Sequence, residues 1–543
     1  MPAQDCPQAS VERAPAALAP AQAAPETRTL LRHSALISGM ALLSRLLGLG
    51  RDVGMAWLLG GAAAEALIIA IRLPHLVRRL FAEGALSLSL TAALAGHSQA
   101  ALLTQSIALR LCLFVLPLSG LACLCAAPLV SVLAPASTPA VQEQAVLLLR
   151  ICLPYAAFVL LATPYMALLH SRQHFFAPAC APVLFNLCLI AFTIAAAYGM
   201  GQPSIMLALG LLCGGALQAA SQYGAAAYSF SALRQGIERP APYLWQQAKR
   251  LVADMPAGVL GAAAPQLIML CAMAAASALP AGTVAGLYYA ERLLELPLGI
   301  LSTGLGIASL PALAQWATQG KMQAVAEHCG TALRFALLLT LPAAAGLAAV
   351  AEPLVTVLLR HGAFDQAACL ATTAALWGYV PALPACALNR VLLAGCNACG
   401  QTRFTAGSSL AVCGLGLVGG FLCVQISACP FWLTLCMSLA LWLQSFALWW
   451  ALQHQLQRHG AQLRLPWRRL VPLCLASMAT GASAWLCLAL GGGLAPLYTL
   501  CLAVPCGIVS CVLVLAVCRN EDFYALVHAL CRQKTQASGK TQP

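Results

Sequence analysis

From residue 32 to residue 518 the chain is a series of apolar stretches, roughly 20–30 residues each, parted by short polar breaks. A helix of that length crosses the hydrocarbon core of a bilayer, about 30 Å thick. Of 543 residues, 61% are hydrophobic and 8% charged, and the mean hydropathy is +0.83. So few charges cannot cover a water-soluble body of this size. The runs are unbroken in Ala, Leu and Val, unlike the short alternating strands of a membrane barrel. The expected fold is an all-α polytopic membrane protein. Fourteen spans are read, at 32–58, 63–94, 102–133, 141–170, 176–199, 203–230, 247–277, 283–316, 329–359, 365–395, 403–427, 430–457, 468–491 and 494–518.

Charge in the loops sets the expected orientation, because basic residues stay on the cytoplasmic side. Arg172, Arg234, Arg239, Lys249, Arg250, Lys321, Arg403, Arg458, Arg464, Arg468 and Arg469 all fall in or beside loops that follow an even-numbered span. Loops after odd-numbered spans are nearly empty, Arg360 being the clear exception, and the loop after span 2 holds only His97. The pattern predicts both termini in the cytoplasm. Residues 1–31 lack the basic start and apolar core of a signal peptide and read as a disordered cytoplasmic extension. No loop is long enough for a soluble catalytic domain. The net charge of +13 comes from 29 Lys and Arg scattered between spans, not from a basic domain, so nucleic acid is not an expected partner.

An internal repeat organises the spans. A shift of 220 residues lays LIIAIRLPHL (67–76) on LYYAERLLEL (287–296), matching Arg72 with Arg292 and Gly84 with Gly304. The repeat-bearing spans, 2 and 8, run in the same direction. Two parallel six-helix lobes facing a central cavity follow from that. The domain reading is an N-lobe over 32–230, a cytoplasmic linker over 231–246 and a C-lobe over 247–457. Two extra helices follow over 458–518, then a cytoplasmic tail over 519–543.

Five arginines (Arg45, Arg51, Arg72, Arg78 and Arg79) lie in the apolar run Ser44–Leu90. A charge near the bilayer centre costs at least a few kcal/mol and persists where it faces a watery cavity or a partner. A cationic cavity for an anion is therefore expected. Arg72, His75 and Arg79 fall on one helical face, as do Arg45 and Asp52. Arg79–Glu83 and Arg292–Glu295 are spaced to pair, and Glu291 reads as a counter-ion for Arg292. Pro74 and Pro297 interrupt the two repeat-bearing helices. Glu65 and Asp254 are further acids, each a candidate to bind a coupling cation or proton or to serve as counter-ion to an arginine. Arginine suits phosphate, since its planar fork donates two parallel hydrogen bonds and keeps its charge when buried. Most of the 25 cysteines lie in apolar runs as small hydrophobes; the lone Cys396/Cys399 pair has no second pair for a metal, and Cys423 and Cys429 flank an external turn, a placement that allows a disulfide without requiring one. No phosphate loop, zinc spacing or catalytic triad is present.

Four segments resemble the MurJ (MviN) family of lipid II flippases, in the superfamily that also holds MATE multidrug exporters and polysaccharide flippases. They are SRLLGLGRD (44–52), RLPHLVRRLFAEGALS (72–87), HSRQHFFAPACAPVLFN (170–186) and YYAERLLELPLGILSTGLGIASLPALA (288–314). The resemblance implies a transporter, not an enzyme. Its cargo would be undecaprenyl diphosphate carrying a disaccharide-pentapeptide, moved across the bacterial inner membrane by alternating access for peptidoglycan synthesis. It implies that Arg45, Arg51, Arg78 and Arg292 line the cavity and hold the diphosphate, with Glu295 beside Arg292. Arg72 stands where the family has Lys, Glu65 where Asp is usual, and His75 where Asn is usual; the last change would make binding pH-sensitive. The two extra helices would form a groove for the isoprenoid tail. No cofactor is implied; membrane potential or a coupling cation would drive transport, and cell-wall synthesis and division proteins are possible partners. The alternatives are a flippase for another polyprenyl-diphosphate saccharide, a MATE-type exporter, which should show acids and aromatics in its cavity, and a glycosyltransferase, which would need acidic residues on a sizeable loop.

Overall fold

The computed structural model describes residues 23–82, 85–95, 97, 99–230, 246, 249, 266–305, 310–463, 467–491, 495–525, 527 and 528. The linker (except Gln246), Glu83, Asp254 and the tail beyond residue 528 lie outside them. Described secondary structure is helical throughout. The first helix, α1, runs Ala23–Leu58. It starts earlier than the first expected span because Ala- and Leu-rich sequence before residue 32 favours helix, with Pro25 tolerated in the first turn. The extension expected over 1–31 is thus helical from residue 23.

The N-lobe continues with α2 (Gly61–Val77), a π-helical turn (Arg78–Ala82) and α3 (Ala85–Ala95). Then come α4 (Ala100–Leu124), α5 (Ala126–Leu133), α6 (Pro139–Ser171), α7 (Phe176–Ala197) and α8 (Pro203–Ser229). The C-lobe comprises α9 (Gln266–Ala276), α10 (Thr283–Leu305), α11 (Leu310–Thr318), α12 (Met322–Leu359), α13 (Gln366–Tyr379), α14 (Ala382–Ala398), α15 (Thr402–Ile426) and α16 (Pro430–Arg458). Last come α17 (Trp467–Leu490) and α18 (Pro496–Val517), packed together and against α12. Among the described residues nine helices are long and apolar enough to cross a membrane, or ten if α13 and α14, bent by 44° at their junction, count as one span.

Several single spans of the sequence reading are broken helices. Span 3 divides at Cys125 into α4 and α5, and span 10 divides before α14. Proline and glycine account for much of this, since a membrane helix keeps a break only where neighbours satisfy the freed backbone groups. Thr104, Thr163, Thr193 and Thr340 return their hydroxyls to carbonyls four residues back, so these buried polar groups need no other partner. Leu124, Leu113, Leu490 and Val517 stand exposed on the outer helices, the surface a lipid phase would cover.

Each lobe packs chiefly on itself. In the N-lobe α6 contacts α2, α4 and α8, and α7 joins α1 to α8; in the C-lobe α13 joins α10 to α16. Between lobes the packing is thin, mainly α2 and α1 against α10. The segment after α18 is not a free tail from its start. Asp522 pairs with Arg334 of α12 at 3.1 Å and Arg469 pairs with Glu521, tying it to α12 and α17. Cys423 and Cys429 are both free thiols, and Cys423 meets Cys436 of α16 instead.

Candidate functional site

The lobes enclose a cavity of about 690 Å³ whose wall carries six arginines (Arg45, Arg51, Arg78, Arg79, Arg292, Arg390) against two acids, Asp52 and Glu295. It runs along α1 from the level of Asp52 toward Ile37.

The arginines are held differently. Arg51 pairs with its neighbour Asp52 at 2.7 Å and donates to Asn186 Oδ1 at 3.0 Å; the Asn186 amide donates in turn to the Ser44 carbonyl at 2.9 Å. Asn186, the last residue of the 170–186 segment, thus fixes Arg51 to α1. Asp52 also accepts the Tyr288 hydroxyl at 3.3 Å and lies 3.8 Å from Arg292, so it reaches across to α10. Glu295 accepts from Arg292 and from Arg79, each at 2.7 Å. The Arg292–Glu295 pair is the one the spacing predicts. Glu83, the partner the spacing suggests for Arg79, lies outside the described residues; Arg79 pairs with Glu295, donates to Gln266 at 3.1 Å and lies 3.9 Å from Glu291.

The π turn explains how Arg78 and Arg79, adjacent in sequence, both reach the wall. One turn of wider helix after Pro74 changes the phase that a regular α-helix would impose. Arg78 lies over the Phe185 ring at 5.8 Å, and His75 is buried with its ring edge-on to Tyr155.

Two expected site residues are elsewhere. Arg72 is not on the wall of the main cavity. It pairs at 2.8 Å with Glu291, which is 2% exposed, and its guanidinium stacks 5.4 Å from the Tyr288 ring. Glu291 therefore serves Arg72, not Arg292, because one helical residue of offset turns it toward α2. The repeat-matched Arg292 stacks on the same ring at 4.9 Å. Glu65 lies away from the cavity too. Its carboxylate accepts the Gly282 N–H at 2.7 Å and the Ser137 hydroxyl at 3.1 Å. Gly282 has φ +91°, a conformation that suits glycine, and only 3.6 Å would separate a Cβ there from the Gly61 Cα. Ala136 donates its N–H to Ser277 at 3.1 Å, and Ala363 to the Trp57 carbonyl at 2.9 Å. Three hydrogen bonds, Gly282 to Glu65, Ala136 to Ser277 and Ala363 to Trp57, thus join the lobes at the end of the cavity remote from Ile37.

Arg390, on α14, was not singled out by the sequence reading, although an arginine inside the span 365–395 is the same signal that marks Arg72 and Arg292. Asp52 and Asn186 were seen in their segments without a site role. No group of three or more potential metal ligands occurs among the described residues.

The family model described as lipid II flippase MurJ matches residues 55–491. A probable lipid II flippase MurJ of Rhizobium meliloti is 34% identical over 403 residues, which cover 71% of this chain and 74% of the relative. The fold is similar to that of a solved lipid II flippase MurJ in an inward closed conformation, with a TM-score of 0.73 at 21% identity, covering 91% of this chain and all of that one. It is also similar to an inward-facing MATE family multidrug transporter of the MOP superfamily, with a TM-score of 0.60 at 14% identity, covering 79% of this chain and 98% of that one.

Proposed function

The chain belongs to the lipid II flippase MurJ family, and from that premise we propose that its arginine-lined cavity binds the diphosphate of lipid II and passes it across the membrane by alternating access. The cargo is lipid II, undecaprenyl diphosphate bearing a disaccharide-pentapeptide, and the chain is a multi-pass membrane transporter. The observation that carries the binding reading is the cavity's excess of six arginines over two acids. A diphosphate offers several anionic oxygens, and guanidinium forks engage such oxygens in pairs. Arg45, Arg51, Arg78 and Arg292 are its binding residues. His75 lies beside them, and Glu295 sets the position of Arg292. Glu65 acts in the seal rather than on the cargo, and Arg72 acts through Glu291 and Tyr288.

With both termini in the cytoplasm, the Glu65–Gly282 end faces outward and the cavity faces inward. The headgroup enters from the cytoplasmic leaflet while the isoprenoid tail stays in lipid along α17 and α18. Breaking the three sealing hydrogen bonds and closing the opposite end then exposes the headgroup outside. No bond in the cargo needs to be made or broken. Membrane potential supplies drive, worth about 2.3 kcal/mol per elementary charge per 100 mV. An exporter of cationic drugs is disfavoured by the same arginines.

The test is rescue of a bacterium whose own lipid II flippase can be switched off, scoring precursor reachable from outside. The intact chain restores exposure, and Arg45→Ala or Arg292→Ala abolishes it at equal membrane expression. Undiminished exposure with both variants would refute the binding site.

A further inference from the structure

Unlike Arg51, Arg79 and Arg292, Arg45 and Arg390 have no ion pair among the described residues. Arg51, Arg79 and Arg292 each already hold a carboxylate, which an incoming anion must displace. Arg45 and Arg390 have nothing to give up. They also come from opposite lobes. Arg45 rises from α1 and lays its guanidinium against Gly299 of α10, where any side chain would collide with it. Arg390 projects from α14 and is exposed within the same cavity.

Gly299, on α10, is seventeen residues beyond Gly282, which immediately precedes that helix, so roughly 25 Å of helix separates it from the seal. Arg45 therefore lies about one helical turn beyond the Arg79–Glu295 pair that ties the lobes, and Arg390 lines the same cavity from the other lobe.

We propose that Arg45 and Arg390 form a two-lobe clamp whose mutual repulsion holds the open end apart until a diphosphate enters between them. This rests on the diphosphate reading above. Like charges separated by a cavity repel; a dianion placed between them converts the repulsion into two attractions and draws α1 and α14 together. Cargo thereby triggers closure of the side it entered, and an empty carrier is kept from closing without cargo. The ligand must be at least dianionic to satisfy both guanidinium groups, so undecaprenyl diphosphate closes the clamp and a neutral polyprenol does not.

The test uses the full chain in lipid nanodiscs, with undecaprenyl diphosphate as the probe. Spectroscopic labels are carried on encoded non-cysteine residues at Gln173 and Gln319, exposed positions on the α6–α7 and α11–α12 turns. Bound probe is expected to shorten the label distance in the unmodified chain. Arg390→Gln is expected to weaken probe binding about tenfold and to abolish the shortening. Arg390→Glu, which places a carboxylate opposite Arg45, is expected to shorten the distance with no probe present. Combining it with Arg45→Glu restores repulsion, and with it the long distance, while binding stays lost. Arg390→Gln binding within twofold of the parent, or an unchanged distance in Arg390→Glu, overturns the clamp alone. Failure of the unmodified chain to bind the probe overturns the diphosphate reading and the clamp together.

Discussion

Glu295 of α10 holds Arg79 and Arg292 at the same distance, 2.7 Å, and so joins the N-lobe π turn to its own helix. The carboxylate is 39% exposed to the cavity, where the cargo's oxygens would compete for the same two forks. It acts as a built-in anion that keeps the arginines in place while the cavity is empty. Glu295→Gln keeps the shape and removes the charge. We expect it to bind undecaprenyl diphosphate several-fold tighter and to transport more slowly, because release no longer has a competitor. Binding titration beside a transport assay checks this, and weaker binding would show that the carboxylate positions the arginines more than it competes.

The Arg72–Glu291 pair is structural. Both groups are largely buried, at 13% and 2% side-chain exposure, and Tyr288 stacks on the arginine. Removing one member of a buried pair leaves an uncompensated charge and typically costs about 3–5 kcal/mol. Glu291→Ala should therefore lower the thermal stability of the purified protein sharply. Replacing both residues, with Arg72→Met and Glu291→Leu, should recover most of the loss. Equal stability of the single variant and the parent would remove the pair from the account.

These pairs show what a sequence can disclose. Arginine inside an apolar span is costly wherever it sits, so the sequence marked Arg45, Arg51, Arg72 and Arg292 as needing company. It gave i, i+3 partners correctly for Arg292 and Glu295, because helix geometry alone sets that distance. It assigned Glu291 to Arg292 rather than Arg72 and did not foresee Glu295 as a partner of Arg79, because these partners lie on helices more than 200 residues apart in sequence. The lobes followed from the repeat, which is a property of the chain. The seal at Glu65 did not, since its acceptor role depends on a backbone N–H that only the turn at Gly282 presents.

That seal makes its own prediction. Glu65 is 4% exposed and receives two donors, Gly282 N–H and the Ser137 hydroxyl. Glu65→Gln offers one oxygen and one NH2, so one donor is left facing another. An unsatisfied buried donor costs about 1–3 kcal/mol, equivalent to a shift of roughly 5- to 150-fold between sealed and unsealed states. Labelling of an introduced reporter at Gly61 by an impermeant reagent from outside should rise accordingly. No rise would mean that the bonds at Ser277 and Ala363 hold the end closed unaided.

Gly299 offers the cleanest separation of folding from function. A Cβ built there would lie 2.5 Å from the Arg45 Cζ, 2.7 Å from Nη1 and 2.8 Å from Nε. All three atoms are at the end of a flexible side chain, so a methyl group moves the guanidinium and leaves the helices in place. Alanine also restricts the unfolded chain more than glycine does, which favours the helix by up to about 1 kcal/mol. Gly299→Ala should thus be as stable as the parent or more so, while Arg45 is displaced from its seat between the lobes. We expect undecaprenyl diphosphate binding to fall several-fold, and Gly299→Val to lower it further, with no loss of membrane expression. Thermal unfolding and binding measured on the same preparation decide the matter. If binding is kept in both variants, the seat against Gly299 does not matter to Arg45; if stability falls with binding, the contact is packing and not a placement of charge.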